Sequence, residues 1–448
     1  MKTKHVDMLS GSITKGLLSL SIPIMIMNVM QVLSNALDMT VLQWFADDRA
    51  VGAVGAGSTL ISLCTSLLIG VATGANIIVA KRTGSGDKAH AERAASTSIV
   101  LAVAGGILLM VIGVIFAETF LRMTNCPETI LPQATLYFRI YFLGVPVLMM
   151  YNFSASILRA IGDTKRPMYF LIIGAIIKTI LTFVFSAVFD MDVQGVGIAT
   201  IIGNGVACVL AFFTLLKRQN VISINLKKLK FDVSEMKEIL YVGIPAGAQS
   251  ALYSFANTVI MAVVNGFGEH ATTGIAIANQ FDVILYHIGY APSLAVSPYV
   301  AQNIGSGNIK RAKKSIISGI FITIAFGASF GALSAIFSRQ LASTMSHTPE
   351  VIAFARQKMI IISSTYFISG INEVMGGVMR GLGKPIIPAI STFMYMFLFR
   401  FFWIYVIYPL CPNLTFLYTV WPVGWILSIL TLLIFYFPTI KKLQKNLA

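Results

Sequence analysis

Asp38 places a carboxylate inside an apolar run that starts near Leu17 and reaches Trp44 with no other charge. Such a run crosses a bilayer as a helix, which takes about 20 apolar residues. A charge near mid-membrane costs at least about 2.5–3.5 kcal/mol, and where it is kept it marks a cavity, an ion path or a paired partner. Asn28, Gln31, Asn35 and Asp38 follow at spacings of 3, 4 and 3, which puts all four on one helix face. A single buried polar residue serves as helix–helix glue. A stripe of four ending in a carboxylate faces water or a substrate. Lys178 lies in a second apolar run, "GAIIKTILTFVF", with Thr182 one turn on. It stands about 18 Å along a helix from Arg166, deep for a snorkelling side chain. An ammonium beside Asp38 lowers the cost of burying the carboxylate, so an Asp38–Lys178 pair is expected.

The second half of the chain has its own polar rows. Gln249, Tyr253 and Asn257 are four apart, and Asn279, Asp282, Tyr286 and Tyr290 share another face. Asp282 reads equally as a cavity carboxylate or a helix-packing partner. Glu373 follows Asn372 and precedes Arg380 by seven residues, so it either lines a cavity or pairs with a basic residue near the membrane surface. Asn257 is the repeat equivalent of Asn35, but Ile260 stands at the equivalent of Asp38, so the halves have diverged in charge. Met25, Met27, Met30, Met149, Met150 and Tyr151, with Asn152 beside them, offer either an adaptable surface for varied apolar ligands or ordinary packing. The substrate-facing candidates are therefore Asn28, Gln31, Asn35, Tyr151, Asn152, Gln249, Tyr253, Asn257, Asn279 and Asp282. The ion-coupling candidates are Asp38, Lys178, Thr182 and Glu373.

Many helices must position these residues. Of 448 residues, 56% are hydrophobic and 11% charged, against about 25% charged in soluble chains. Apolar runs predict twelve spans, near 16–44, 51–79, 94–117, 135–157, 167–189, 195–216, 238–265, 271–301, 315–338, 354–379, 386–410 and 417–439. Barrel strands would not give runs this long. The fold class is an all-α membrane protein, and the first run reads as a retained span rather than a signal peptide.

Basic residues orient the spans. Alternate loops carry 25 of the 33 lysines and arginines, among them Lys81, Arg82, Arg159, Lys165, Lys227, Lys310, Arg311 and Lys441. The opposite loops hold Arg49, Arg122, Arg339, Arg356 and Lys358, while Arg139, Lys178 and Arg400 lie in or at the edge of spans. The bias places both termini in the cytoplasm of a multi-pass cell-membrane protein. It also accounts for the net charge of +15 without nucleic acid.

The chain repeats itself. "VAKRTGSGDKAHAERA" begins at Val79 and "VAQNIGSGNIKRAKK" at Val300, an offset of 221 residues. "RAIGDTKRP" and "RGLGKPIIP" match at the same offset, and "SIPIM" pairs with "GIPAG" one residue out of step. Two six-span lobes follow, 1–216 and 238–448, joined by a linker at 217–237. An even number of spans per half makes the repeat parallel, and such a pair suits alternating access. No GxxxxGK[ST] loop, HExxH or GxSxG is present, so neither ATP-driven transport by this chain alone nor enzyme chemistry has its apparatus. The four cysteines show no metal spacing. No cofactor is expected beyond a driving ion.

These residues resemble the multidrug and toxic compound extrusion (MATE) family over almost the whole chain. The resemblance rests on Pro23 with Asp38, "GSGD", "RAIGDTKRP", "GVGIAT" at 195–200, "GIPAG", "QNIGSGNIKRAKK" and "RGLGKP". It implies two six-helix lobes around a central cavity and export of drug-like organic cations in exchange for H⁺ or Na⁺. It implies that Asp38 is the first-helix acidic residue of the ion site and that Thr200 belongs to that site. The family's fifth helix often reads Asn-x-x-Leu-Asp, where this chain has Lys178, Thr179, Ile180, Leu181 and Thr182. A lysine there repels Na⁺, so the expectation is a monomeric, proton-coupled exporter of amphipathic cations, surrounded by membrane lipids. The alternatives are a Na⁺-coupled exporter and a lipid or oligosaccharide flippase of the wider superfamily.

Overall fold

The computed structural model describes residues 5–217, 222, 224 and 231–447. Ten long helical elements lead: α1 (Ile13–Phe45), α2 (Asp48–Gly84), α3 (Lys88–Met123), α4 (Leu131–Leu143), α5 (Val145–Ala160), α6 (Lys165–Val188), α7 (Val193–Leu216), α8 (Val233–Asn265), α9 (Glu269–Gly305) and α10 (Ile309–Ile336). The short α11 (Ser338–Ser343) precedes α12 (Pro349–Gly381). A composite span then runs through α13 (Ile386–Thr392), a π-helical stretch (Phe393–Leu398), α14 (Phe399–Phe402) and a second π stretch (Trp403–Ile407). The last elements are α15 (Leu414–Tyr418) and α16 (Val420–Leu447).

Among the described residues nine helices are long and apolar enough to cross a membrane, and α4 with α5 makes a tenth span bent by 45°. The bend falls at Gly144, and Pro146 opens the helix after it, where a missing N–H costs nothing. Helices α8 and α9, 33 and 37 residues long, complete the twelve expected spans.

The repeat is built from local backbone chemistry. Gly86 and Gly307 both adopt φ +76°, which residues with a Cβ rarely reach. The next residue in each copy caps a helix: Asp87 accepts from His90 N at the start of α3, and Asn308 accepts from Arg311 N at the start of α10. Gly162 and Gly383, with φ +85° and +76°, end α5 and α12 in the same way. Asp163 N bonds back to Leu158 O at 2.9 Å and Lys384 N to Met379 O at 2.8 Å, the pattern that satisfies the orphan carbonyls of a helix end.

The chain divides into two compact units. Unit 1 comprises residues 1–6 and 26–247, and unit 2 comprises 7–25 and 248–448. The first part of α1 therefore belongs to unit 2, and the first part of α8 to unit 1. Pro23 and Pro245 sit just before these changes of membership, where each removes one i→i−4 hydrogen bond. Within unit 1, "GIPAG" is a contact motif. A Cβ on Gly247 would stand 2.6 Å from Leu67 O, and one on Gly70 would stand 2.2 Å from Gly247 N. Small residues four apart on α2 and α8 thus bring two backbones into direct contact. The expected linker at 217–237 lies mostly outside the described residues, as do Lys2, Lys4, Arg218, Lys227, Lys228 and Lys230.

Candidate functional site

In unit 1 the opening stripe and the lone lysine meet. Lys178 Nζ lies 2.5 Å from Asp38 Oδ2 and donates to Asn35 Oδ1 at 3.4 Å. Thr182 Oγ1 donates to Asp38 Oδ1 at 3.3 Å. Asp38 is 6% exposed. Glycines make the approach possible: a Cβ on Gly203 of α7 would sit 2.7 Å from Lys178 Cβ, and one on Gly174 of α6 would sit 2.5 Å from Gly203 O. α6 thus lies flat on α7, with the lysine stem crossing Gly203.

Beside the pair is a cavity of about 100 Å³, lined by Gln31, Asn35, Asp38, Lys178 and Thr200 together with Ser34, Tyr137, Tyr141 and Asn204. This is small against the roughly 300–1,000 Å³ of a drug-sized pocket; it suits water and small ions. Five sequence candidates therefore converge on one chamber, and Thr182 supports it from behind. Thr200 also donates to Val196 O at 2.8 Å. Asn28, Tyr151 and Asn152 do not line the chamber. Tyr151 donates its hydroxyl to Pro167 O at 3.1 Å, and Asn152 donates to Leu148 O of its own helix at 2.9 Å. Tyr137, Tyr141 and Asn204 escaped the sequence reading. Asn204 follows Thr200 by one helical turn, a signal within reach, whereas the two tyrosines sit among too many aromatics to stand out.

In unit 2 each polar residue of the α8 row has its own partner. Gln249 accepts from Arg380 Nη1 at 2.8 Å and donates to Thr392 Oγ1 at 2.9 Å. Tyr253 Oη donates to Glu373 Oε1 at 3.1 Å. Asn257 Oδ1 accepts from Arg400 Nη1 at 2.7 Å. Arg380, the basic residue nearest Glu373 in sequence, is thus turned to Gln249. Asn372 donates to Tyr253 Oη at 3.4 Å and accepts from Ser428 Oγ at 2.6 Å.

Asp282 pairs with Lys358, whose Nζ lies 2.7 Å from Asp282 Oδ2. Asn279 Oδ1 accepts from the same ammonium. This corrects the assignment of Lys358 to an outer loop: it stands inside α12 and is 3% exposed. α12 begins at Pro349, earlier than the apolar run suggested, because Thr348 and Pro349 start the helix before hydropathy rises. Arg400 is likewise interior, 2% exposed, in the α14 segment between the two π stretches. Lys358 Nζ and Arg400 Cζ lie 5.7 and 5.4 Å from the ring centre of Trp421. All four cysteines are free. No three His, Cys, Asp or Glu side chains gather as a metal site among the described residues.

The MatE family model matches residues 23–184 and again 245–406, once over each copy of the repeat. The chain belongs to the MATE family. It is thus a multi-pass membrane protein of a transporter family. The MATE relatives include the "Probable multidrug resistance protein YpnP" of Bacillus subtilis, 29% identical over 380 residues and 85% of both chains. They also include the "FAD transporter" of Shewanella oneidensis, 25% identical over 393 residues and 86% of both. An outward-facing multidrug resistance MATE family transporter of the MOP superfamily superposes with a TM-score of 0.92 at 20% identity, over 99% of this chain and 100% of that one. That likeness is one of fold. It agrees with the expected all-α architecture of two repeated six-helix lobes.

Proposed function

We propose that this MATE protein is a monomeric secondary active exporter in the cytoplasmic membrane, with both termini inside, that moves amphipathic organic compounds outward in exchange for protons. The observation that carries the reading is the Lys178 ammonium 2.5 Å from Asp38 Oδ2. A driving Na⁺ would need that carboxylate, and a tethered cation already holds it. A proton binds a carboxylate oxygen directly and needs no open coordination shell, although the ammonium opposes it by favouring the charged carboxylate. Protonation removes the carboxylate charge, and Lys178 is left as a buried ammonium without its counter-ion, which is costly in a low-dielectric chamber. The helices α1 and α6 that carry the pair then favour a different packing. A transporter needs such a difference in stability between two states. One proton crossing 100 mV releases about 2.3 kcal/mol, enough to hold a roughly fifty-fold gradient of a substrate without net charge; one-for-one exchange against a monovalent cation moves no net charge and draws on the pH difference alone.

Carboxylates in both units favour cationic substrates. A second reading has one specific support: the interior of unit 2 holds Lys358, Arg380 and Arg400 against Asp282 and Glu373, each bonded as described. That balance favours zwitterionic or anionic aromatic substrates, the class to which the printed substrate of one relative belongs.

The test is uptake into everted membrane vesicles, whose lumen corresponds to the cell exterior. A proton gradient imposed with the lumen acidic is expected to drive uptake of a cationic dye, while a Na⁺ gradient at equal pH is not. Equal drive by Na⁺ would overturn proton coupling, and preference for an anionic dye would favour the second reading. In a cysteine-free background, cysteines at 89 and 310 should react with an impermeant reagent from the cytoplasmic side only, and one at 128 from outside only.

A further inference from the structure

A groove of about 290 Å³ runs along the first turns of α10, entirely within unit 2. Lys314, Ile317, Ser318, Phe321 and Ile322 form one wall and Thr14 of α1 the other. The α10 positions recur at helical spacing, so they make one stripe with the ammonium at its charged end. Thr14 and Ser318 close the floor by a hydroxyl–hydroxyl bond of 2.9 Å. Below that bond the wall is apolar and open: Ile317 is 55% and Phe321 67% exposed.

The basic residues at this end of α10 divide into one committed arginine and lysines without ion pairs among the described residues. Arg311 is spent on the amino-terminal strap, donating to Met8 O at 2.9 Å, Gly11 O at 3.0 Å and Ser10 O at 2.5 Å. Lys15, Lys310, Lys313 and Lys314 make no ion pair among the described residues. A lysine mouth over an exposed apolar trough, at the end of a membrane-spanning helix, has the polarity profile of a phospholipid. A soluble anion would leave Ile317 and Phe321 uncovered, and a neutral lipid would leave the lysines unanswered.

We infer that this groove binds one anionic phospholipid, with its phosphate on Lys314 and an acyl chain along Ile317 and Phe321. Basic pockets at the cytoplasmic ends of spans select anionic headgroups by the same chemistry. Only the choice of the cytoplasmic leaflet rests on the orientation proposed above.

The experiment is thermal unfolding of the purified full chain in detergent with phosphatidylglycerol, phosphatidylcholine or inorganic phosphate added. Phosphatidylglycerol is expected to raise Tm by several degrees and the other two to do little. Lys314→Gln and the groove-filling Ser318→Trp should each lose at least half of that rise, while Lys88→Gln, at the start of α3 in unit 1, should keep it. Equal stabilisation by phosphatidylcholine or phosphate overturns the inference, and so does an equal loss in Lys314→Gln and Lys88→Gln. If Ser318→Trp does not fold, the exposed Lys314 decides alone. Labelling of a cysteine at 310 from outside would overturn the leaflet and the orientation together, while the detergent result still reads the site.

Discussion

Lys178 Nζ stands 2.5 Å from Asp38 Oδ2 and donates to Asn35 Oδ1 at 3.4 Å, so one ammonium on α6 serves two residues nearly one turn apart on α1. The second contact gives the lysine somewhere to go when the first is neutralised. A proton arriving at Asp38 exchanges a charged acceptor for a neutral one, and the side chain need travel only along the stripe.

Breaking this pair from either side should be destabilising. Asp38→Asn and Lys178→Ala each leave one buried charge alone, which costs about 3–5 kcal/mol unless water enters. The double variant should fall short of additivity by at least about 1 kcal/mol in a double-mutant cycle read by thermal or chemical unfolding. Strict additivity would show that the two charges do not act together. Asp38→Asn should also abolish proton-driven export at equal expression.

Glu373→Gln keeps the shape of the carboxyl group and removes its charge. Its export should drop, because Tyr253 Oη then donates to a neutral acceptor. Tyr253→Phe should weaken export in the same direction. Unchanged export in both, at matched protein levels, would assign the Tyr253–Glu373 bond to packing.

The Arg400 guanidinium donates to the Asn257 amide and lies over the Trp421 ring. Asn257→Leu removes the acceptor of Arg400 Nη1, and a buried donor left without its partner costs about 1–3 kcal/mol, more for a charged one. Asn257→Leu combined with Arg400→Leu should recover much of that loss in a melting experiment. A double variant as unstable as the sum of the singles would mean that other groups hold the guanidinium.

The α2–α8 contact has no room for a methyl group. Gly247→Ala places a Cβ 2.6 Å from Leu67 O, and overpacking of this kind costs about 1–3 kcal/mol. Gly268, by contrast, precedes α9 with no heavy atom within 4 Å of an added Cβ, but carries φ +94°. Gly268→Ala should lose stability through backbone strain instead, and no substitution facing it should compensate. Rescue of Gly247→Ala by a smaller residue at Leu67 is not expected either, since the clash is with backbone.

The amino-terminal strap should respond to acid. The Ser10 hydroxyl, donating to Asp7 at 2.5 Å, holds the Asp7 carboxyl below the usual 3.8, helped by the amides of Leu9 and Ser10 and by Arg311. A carboxyl lowered on folding adds stability that is present above its unfolded value and lost as pH falls through the lower folded value. Hydrogen-exchange protection of the Leu9 and Ser10 amides, corrected for intrinsic rates, should therefore hold from neutral pH to about 4 and decay below it. Asp7→Ala should be unprotected throughout. Protection that ignores pH in the parent chain would refute the role of Asp7.

The amino-acid sequence determined the membrane class, the number of spans and the repeat, because hydropathy and turn chemistry are local. The turns at Gly86 and Gly307, and the caps at Asp87 and Asn308, need only neighbouring residues to form. The Asp38 stripe was legible for the same reason: helical spacing alone puts Asn35 and Asp38 on one face. The partners were not local. Tertiary packing brought Lys358 to Asp282 and Arg400 to Asn257, over separations of 76 and 143 residues, and gave Arg380 a hydrogen bond to Gln249. It also set Tyr137 and Tyr141 in the wall of the chamber, while Tyr151 took its hydroxyl to Pro167 O. A buried charge must find a counter-group wherever the fold offers one, and which group that is depends on how helices far apart in the chain pack against each other.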